Sequence, residues 1–204
     1  FRWPWAELEP KEGQYNFALV DRVIEQAKAK GETLAIRIVS EYKTGSPQWL
    51  LDKGVGSVKE SDGIFPDYNH PVFLDYHERL IRAFGERYGR SVDIDHVDIG
   101  SIGCWGEWNT VCCEGVEAQC KAFFPTEANQ IAITDWYLKY FAGTPLVMLH
   151  GGQLKYAASH GAGQKSALHP RQMLSNGVQR LDTGSRTQQA VGDLRPLAPR
   201  RRLL

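Results

Sequence analysis

One carboxylate, Glu107, stands between two tryptophans in residues 96–109, HVDIGSIGCWGEWN. A carboxylic acid beside flat apolar rings has the makings of a sugar-cleaving site. The acid gives a proton to the departing oxygen, and Trp105 and Trp108 offer faces on which a sugar ring stacks. Residues 96–102 alternate Val97 and Ile99 with Asp98 and Gly100, the period of a short buried strand, so Glu107 falls just past a strand's end. Glycines 100, 103 and 106 let the chain turn sharply there, and Gly103 and Gly106 have no side chain to obstruct a ligand. A tight turn around two core tryptophans is the other reading of the same residues.

The elements that must position this turn follow from periodicity. Residues 1–5 read as the end of a strand, and the turn at 9–13 leads to a helix with Asn16 as its N-cap and Leu19, Val20, Val23, Ile24 and Ala27 on its apolar face. Gly31 ends that helix before a buried strand at 33–39. A long loop through residues 40–70 precedes a helix over 71–88, with Phe73, Leu80, Ile81 and Phe84 inward. The strand at 96–102 follows. After a cysteine-bearing loop, Thr126 caps a helix reaching about Phe141, and residues 145–150 form the next strand. Such regular alternation predicts an α/β fold with a parallel sheet and ligands at the carboxyl ends of its strands.

Composition bounds the rest. The chain has 204 residues, 42% of them hydrophobic, enough for one substantial core. Residues 164–204 hold eight Lys or Arg against two Asp, a net +6, so residues 1–163 carry −6 because the whole sums to zero. A weakly acidic body argues against a nucleic-acid partner, and no apolar run is long enough to span a membrane. No Phe, Trp or Tyr occurs after Tyr156. Two regions are therefore expected: a folded body at 1–163, and a basic, aromatic-free tail at 164–204 that is poorly ordered or peripheral. The first residue is Phe1, and a lost natural start is expected.

The opening RWPWAELEPKEGQYNF, with the helix and strand to Val39, resembles the W-x-x-L-E-P-x-x-G-x-Y-x-F segment of clan A glycoside hydrolases, nearest to the family 42 beta-galactosidases. Residues 46–50, SPQWL, resemble the Pro-x-Trp-Leu that follows the third strand in that clan. The resemblance implies a (β/α)8 TIM-type barrel, here incomplete, whose general acid/base is a glutamate ending the fourth strand. Counting residues 1–5 as the second strand makes 96–102 the fourth and gives Glu107 that role. Two departures stand out. Gly106 replaces the Asn that often precedes the catalytic glutamate, with Asn109 two residues beyond it, and no glutamate follows Glu127, although the clan's nucleophile is a glutamate ending the seventh strand.

Within such a barrel the chemistry-bearing residues take expected places. Glu107 is the proton donor, and Glu41, just past the third strand, is either a makeshift base or substrate contact or a solvated loop charge beside Lys43. Arg37, flanked by Ile36 and Ile38, points into the barrel, to orient a carboxylate or form a structural salt bridge. Trp105, Trp108, Asn109 and His150 are the further substrate contacts, whereas Trp3, Trp5 and Trp49 are packing or loop anchors. Cys104, Cys112, Cys113 and Cys120 suit two disulfides, with Cys112 and Cys113 taking different partners and an extracytoplasmic location implied; their spacing lacks a zinc knuckle. Neither a metal nor a cofactor is expected. The expected activity is hydrolysis of a β-linked sugar. The competing expectation is a non-catalytic carbohydrate-binding or structural remnant, and exposed sheet edges would favour a homo-oligomer.

Overall fold

The computed structural model describes residues 1–42, 45–61, 63–149 and 151–165. Its centre is a five-stranded, wholly parallel sheet built from β1 (Arg2–Pro4), β2 (Leu34–Val39), β5 (Ile94–Ser101), β6 (Leu146–Met148) and β7 (Gly163–Gln164), hydrogen-bonded in that order. Each strand pairs with the next sheet strand in the chain, the order a β/α barrel requires. A two-stranded antiparallel hairpin, β3 (Ser57–Lys59) and β4 (Ile64–Pro66), occupies part of the expected loop over residues 40–70. Its strands are three residues long, too short for a periodic signal.

The helices are α1 (Trp5–Leu8), α2 (Phe17–Lys28), α3 (Gln48–Leu51), α4 (Pro71–Tyr88), α5 (Glu117–Phe123), α6 (Glu127–Tyr140) and α7 (Leu154–Ser159). Helix α2 buries Val20 and Ile24 and partly buries Leu19 and Val23, the stripe its spacing predicts. Asn16 stands at the N-cap position but makes no side-chain cap bond; its amide nitrogen donates to the Glu7 carbonyl. Helix α4 starts at Pro71, where His70 accepts from the Val72 N–H, and Thr126 caps α6 by accepting from Asn129. No helix of the described residues is long and apolar enough to cross a membrane.

Alternation sorts the two faces of the sheet. Ile36 and Ile38 of β2 and Val97 and Ile99 of β5 join one buried apolar cluster with the inward residues of α2 and α4. Arg37 and Asp98, one step out of phase, meet on the opposite face and are paired in register. That second face is the inside of the barrel's arc, and it is polar. The sheet continues through Gln164, so the boundary expected between 163 and 164 falls inside a strand. The remainder of the expected tail, residues 166–204, lies outside the described residues.

The helix-facing core holds one titratable oddity. His77 of α4 is fully buried, stacks on Phe73 with ring centroids 5.3 Å apart, and lies 5.4 Å from Trp5 and 5.8 Å from Trp136. Neither ring nitrogen has a hydrogen-bond partner among the described residues, and burial pushes its pKa from 6.5 down to about 3. The unfolded chain therefore binds a proton more readily than the folded one. Stability is at its fullest above pH 6.5 and declines toward pH 3, by at most ~1.4 kcal/mol per pH unit from this group. His77→Phe should keep the ring stack and flatten the acid side of a stability profile taken by thermal melts from pH 7 to 4. An unchanged profile would show that other groups govern acid unfolding.

Candidate active site

The chain leaves β5 through a strained turn. Ser101, Trp105 and Trp108, at φ 73°, 56° and 56°, are the positive-φ residues other than glycine among the described residues, and all three lie within eight positions. Each such residue costs ~1–3 kcal/mol and persists only where its surroundings enforce it. Here the enforcement is visible. The Trp108 N–H donates to the Ile102 carbonyl at 2.8 Å, Cys104 to Asn109 at 2.9 Å, and Gly103 to the Tyr68 hydroxyl at 3.0 Å. A disulfide joins Cys104 to Cys112, and a second joins Cys113 to Cys120. The 3-10 turn at Cys104–Gly106 ends on Glu107, whose side chain is 25% exposed at the carboxyl end of β5.

A chain of charges aims that carboxylate. Arg37 donates from Nη1 to Glu107 Oε1 at 3.0 Å and from Nε to Asp98 Oδ2 at 2.9 Å, and Nη1 also reaches the Trp105 carbonyl at 3.2 Å. Arg2 of β1 reaches the same Glu107 oxygen at 3.4 Å, and Lys165, next to β7, pairs with Asp98 at 3.2 Å. The Arg37 stem passes where side chains at 100 and 106 would stand. A Cβ on Gly100 would lie 2.7 Å from Arg37 Cγ, and one on Gly106 would lie 3.3 Å from its Cδ and 2.9 Å from Val39 Cγ1. The room for a ligand that the sequence suggests at Gly106 is therefore filled by Val39 and Arg37.

The expected contacts separate into two groups. Arg37 and Glu107 come together as the barrel reading predicts, and Trp105 is half-buried beside them. Trp108 does not serve as a platform: it is 4% exposed, and its indole N–H donates to the Ile99 carbonyl at 2.7 Å, which makes it a core residue. Its left-handed backbone, invisible to periodicity, rotates it inward. Glu41 is neither solvated nor open to substrate. It is fully buried, and its Oε2 accepts the Trp105 N–H at 2.7 Å, so it clamps the turn that carries Glu107. Its Oε1 lies 3.7 Å from the Cys112 sulfur, which has no hydrogen to give because it is in a disulfide. Asn109 is tied into its own turn, accepting from the Val111 N–H and donating to the Glu107 carbonyl. His150 lies outside the described residues. The sulfurs of Cys104, Cys112 and Cys113 cluster within 4.8 Å, but each is in a disulfide and none is a thiolate ligand.

Sequence reasoning missed Asp98, Arg2 and Lys165. The polar phase of the β5 alternation marks Asp98 as facing Arg37, whereas only the fold brings Lys165, 67 residues away, to the same carboxylate.

A parallel sheet in sequential order, with a carboxylate at the carboxyl end of its third strand, places the molecule among partial (β/α)8 barrels. A beta-galactosidase of the psychrophilic Marinomonas ef1 shares the fold at a TM-score of 0.55 and 12% identity, over 86% of this chain and 37% of that one. Residues 2–124 match the glycoside hydrolase family 42 model, described as beta-galactosidase, and the chain belongs to that family. Beta-galactosidase BgaB of Geobacillus sp. (strain Y412MC61) is 32% identical over 93 residues, and the bgaB enzyme of Geobacillus kaustophilus is 28% identical over 93. In both cases the match spans 41% of this chain and 13% of the relative's length.

Proposed function

We propose that this chain supplies the proton-donor half of a β-galactosidase site, with Glu107 as general acid/base. The observation that carries the reading is the placement of Glu107: at a strand's carboxyl end, on a turn clamped by Glu41 and a disulfide, and gripped by Arg37. Partial exposure lets Glu107 meet a glycosidic oxygen, while Arg37 and Arg2 hold one of its oxygens and leave the other to the substrate. Trp105, half-buried at the same turn, is the apolar wall for the sugar; His150, outside the described residues, is a further proposed contact, and Asn109 contributes by holding the turn through the Glu107 carbonyl and the Val111 N–H. The disulfides suit an oxidising, extracytoplasmic setting.

Retaining hydrolysis also needs a second carboxylate about 5 Å from the first. We assign that role to neither Glu41 nor Asp98. Glu41 is buried under the turn, and Asp98 is paired with Arg37 and Lys165. The division between turnover and binding is therefore experimental. A panel of chromogenic β-glycosides, run beside calorimetric titration with the same sugars, should show β-galactoside binding, and release of the chromophore alongside it would establish turnover. Binding without release would favour a carbohydrate-binding role that keeps the aromatic mouth. Absence of both would overturn the sugar-site reading.

A further inference from the structure

Three sulfurs crowd against the turn that carries Glu107. Those of Cys104, Cys112 and Cys113 lie within 4.8 Å of one another, although they belong to two different disulfides. The Cys104 sulfur also accepts the Cys112 N–H at 2.9 Å, which holds it over the chain just before Cys113. A disulfide this near a third cysteine is open to exchange, because a thiolate attacks one sulfur of a disulfide and expels the other. The two bonds differ in access. Cys113 and Cys120 bracket the exposed residues Glu114, Gly115, Glu117, Ala118 and Gln119, so a local opening of this short segment bares their bond. Cys104 instead lies inside the turn: its N–H donates to the Asn109 carbonyl, and its own carbonyl accepts the Glu107 N–H at 3.0 Å.

We propose that the two disulfides form an exchange pair, in which reduction of Cys113–Cys120 lets Cys113 take Cys104 from Cys112 and so resets the turn that carries Glu107. A dithiol reductant gives two electrons and two protons to Cys113–Cys120, leaving two thiols and its own disulfide. Cys113 then loses its proton to solvent, and its thiolate attacks the Cys104 sulfur. The Cys104–Cys113 bond forms, the Cys104–Cys112 bond breaks, and the Cys112 thiolate takes a proton from water. The product gains a contact that the starting state lacks. The Cys112 sulfur stands 3.7 Å from Oε1 of the buried Glu41, and as a thiol it has a hydrogen to donate there. Glu41 also accepts the Trp105 N–H, so the exchange acts on the turn twice, through the Cys104 tether and through the Glu41 clamp. The exchange stands on the sulfur cluster by itself, whereas its consequence for a proton donor rests on the role of Glu107 proposed above.

Cys120→Ser leaves Cys113 as the attacking thiol without any reductant. The whole chain is equilibrated near the ordinary thiol pKa of about 8.5, blocked with iodoacetamide, then reduced and labelled with N-ethylmaleimide, and tandem mass spectrometry locates the carbamidomethyl group. Cys112 should carry about a tenth or more of that group, since a tenfold ratio is only about 1.4 kcal/mol between the two arrangements. Deuterium uptake over residues 103–108 should split into two populations, the faster one matching the Cys112-labelled share. Cys113→Ser/Cys120→Ser loses the same disulfide but has no thiol to attack, and it should show one population. Carbamidomethyl on Cys113 alone would overturn the inference, as would uptake identical in the two variants. Limited reduction of the wild-type chain with dithiothreitol, stopped with acid, gives the same answer if Cys120→Ser does not fold. Molecules with thiols at Cys112 and Cys120 should appear beside those with thiols at Cys113 and Cys120, and their absence would overturn the inference. Each of these outcomes leaves the sugar-site reading to the glycoside panel, so the two fail separately.

Discussion

Glu107→Gln should reduce hydrolysis of a β-galactoside with an unactivated sugar leaving group by about 10²- to 10⁴-fold, the range general acid catalysis supplies. An amide has nearly the size of a carboxylic acid, and its oxygen still accepts from Arg37 Nη1, so the turn and the fold should survive. What it lacks is a proton to give. The loss should therefore depend on the leaving group: a nitrophenolate departs without protonation, so the bond-breaking step suffers less with an aryl galactoside than with a disaccharide. Steady-state rates on both substrates read this directly. An equal, small loss on both would show that Glu107 binds without donating.

Trp108→Ala should destabilise the protein by ~3–5 kcal/mol, the cost of truncating a buried large aromatic. The indole is 4% exposed, and removing it also strands the Ile99 carbonyl it caps at 2.7 Å. The residue further packs against the loop at 152, where a Cβ on Gly152 would come within 2.6 Å of the ring. Urea denaturation measures the loss. A platform tryptophan would behave in the opposite way, weakening sugar binding while leaving stability within about 1 kcal/mol, the ordinary range for surface changes. That pattern would return Trp108 to the binding surface.

Much of the scaffold is legible in the chain. The three- and four-residue spacings of α2 and α4 and the two-residue alternation of β2 and β5 give the elements, and they place Arg37 and Asp98 on the face away from Ile36, Ile38, Val97 and Ile99. Periodicity says which side of its own element a residue occupies. It does not say what that side meets. Glu41 illustrates this: a glutamate in a loop beside lysine reads as solvated, and only the three-dimensional turn brings the Trp105 N–H to it. Trp108 illustrates the other limit, because a positive φ redirects a side chain without changing any spacing. At Gly106, where the missing side chain suggests room for a ligand, the close neighbours are Val39 and Arg37.

The proposed function joins three features: a carboxylate at the carboxyl end of a barrel strand, membership of the family 42 beta-galactosidases, and an arginine bridge from Asp98 to Glu107. The bridge links a buried acid to a partly exposed one, so the orientation of Glu107 is set by β2 and β5 rather than by its loop alone. Elements packed in a sheet hold geometry more tightly than loops do. The most direct test is galactose released from an unactivated β-galactoside by the wild-type chain and by Glu107→Gln, assayed side by side. The expected result is that whatever galactose the wild type releases falls about a hundredfold, or to none, in the variant. Release at the same rate from both would contradict it.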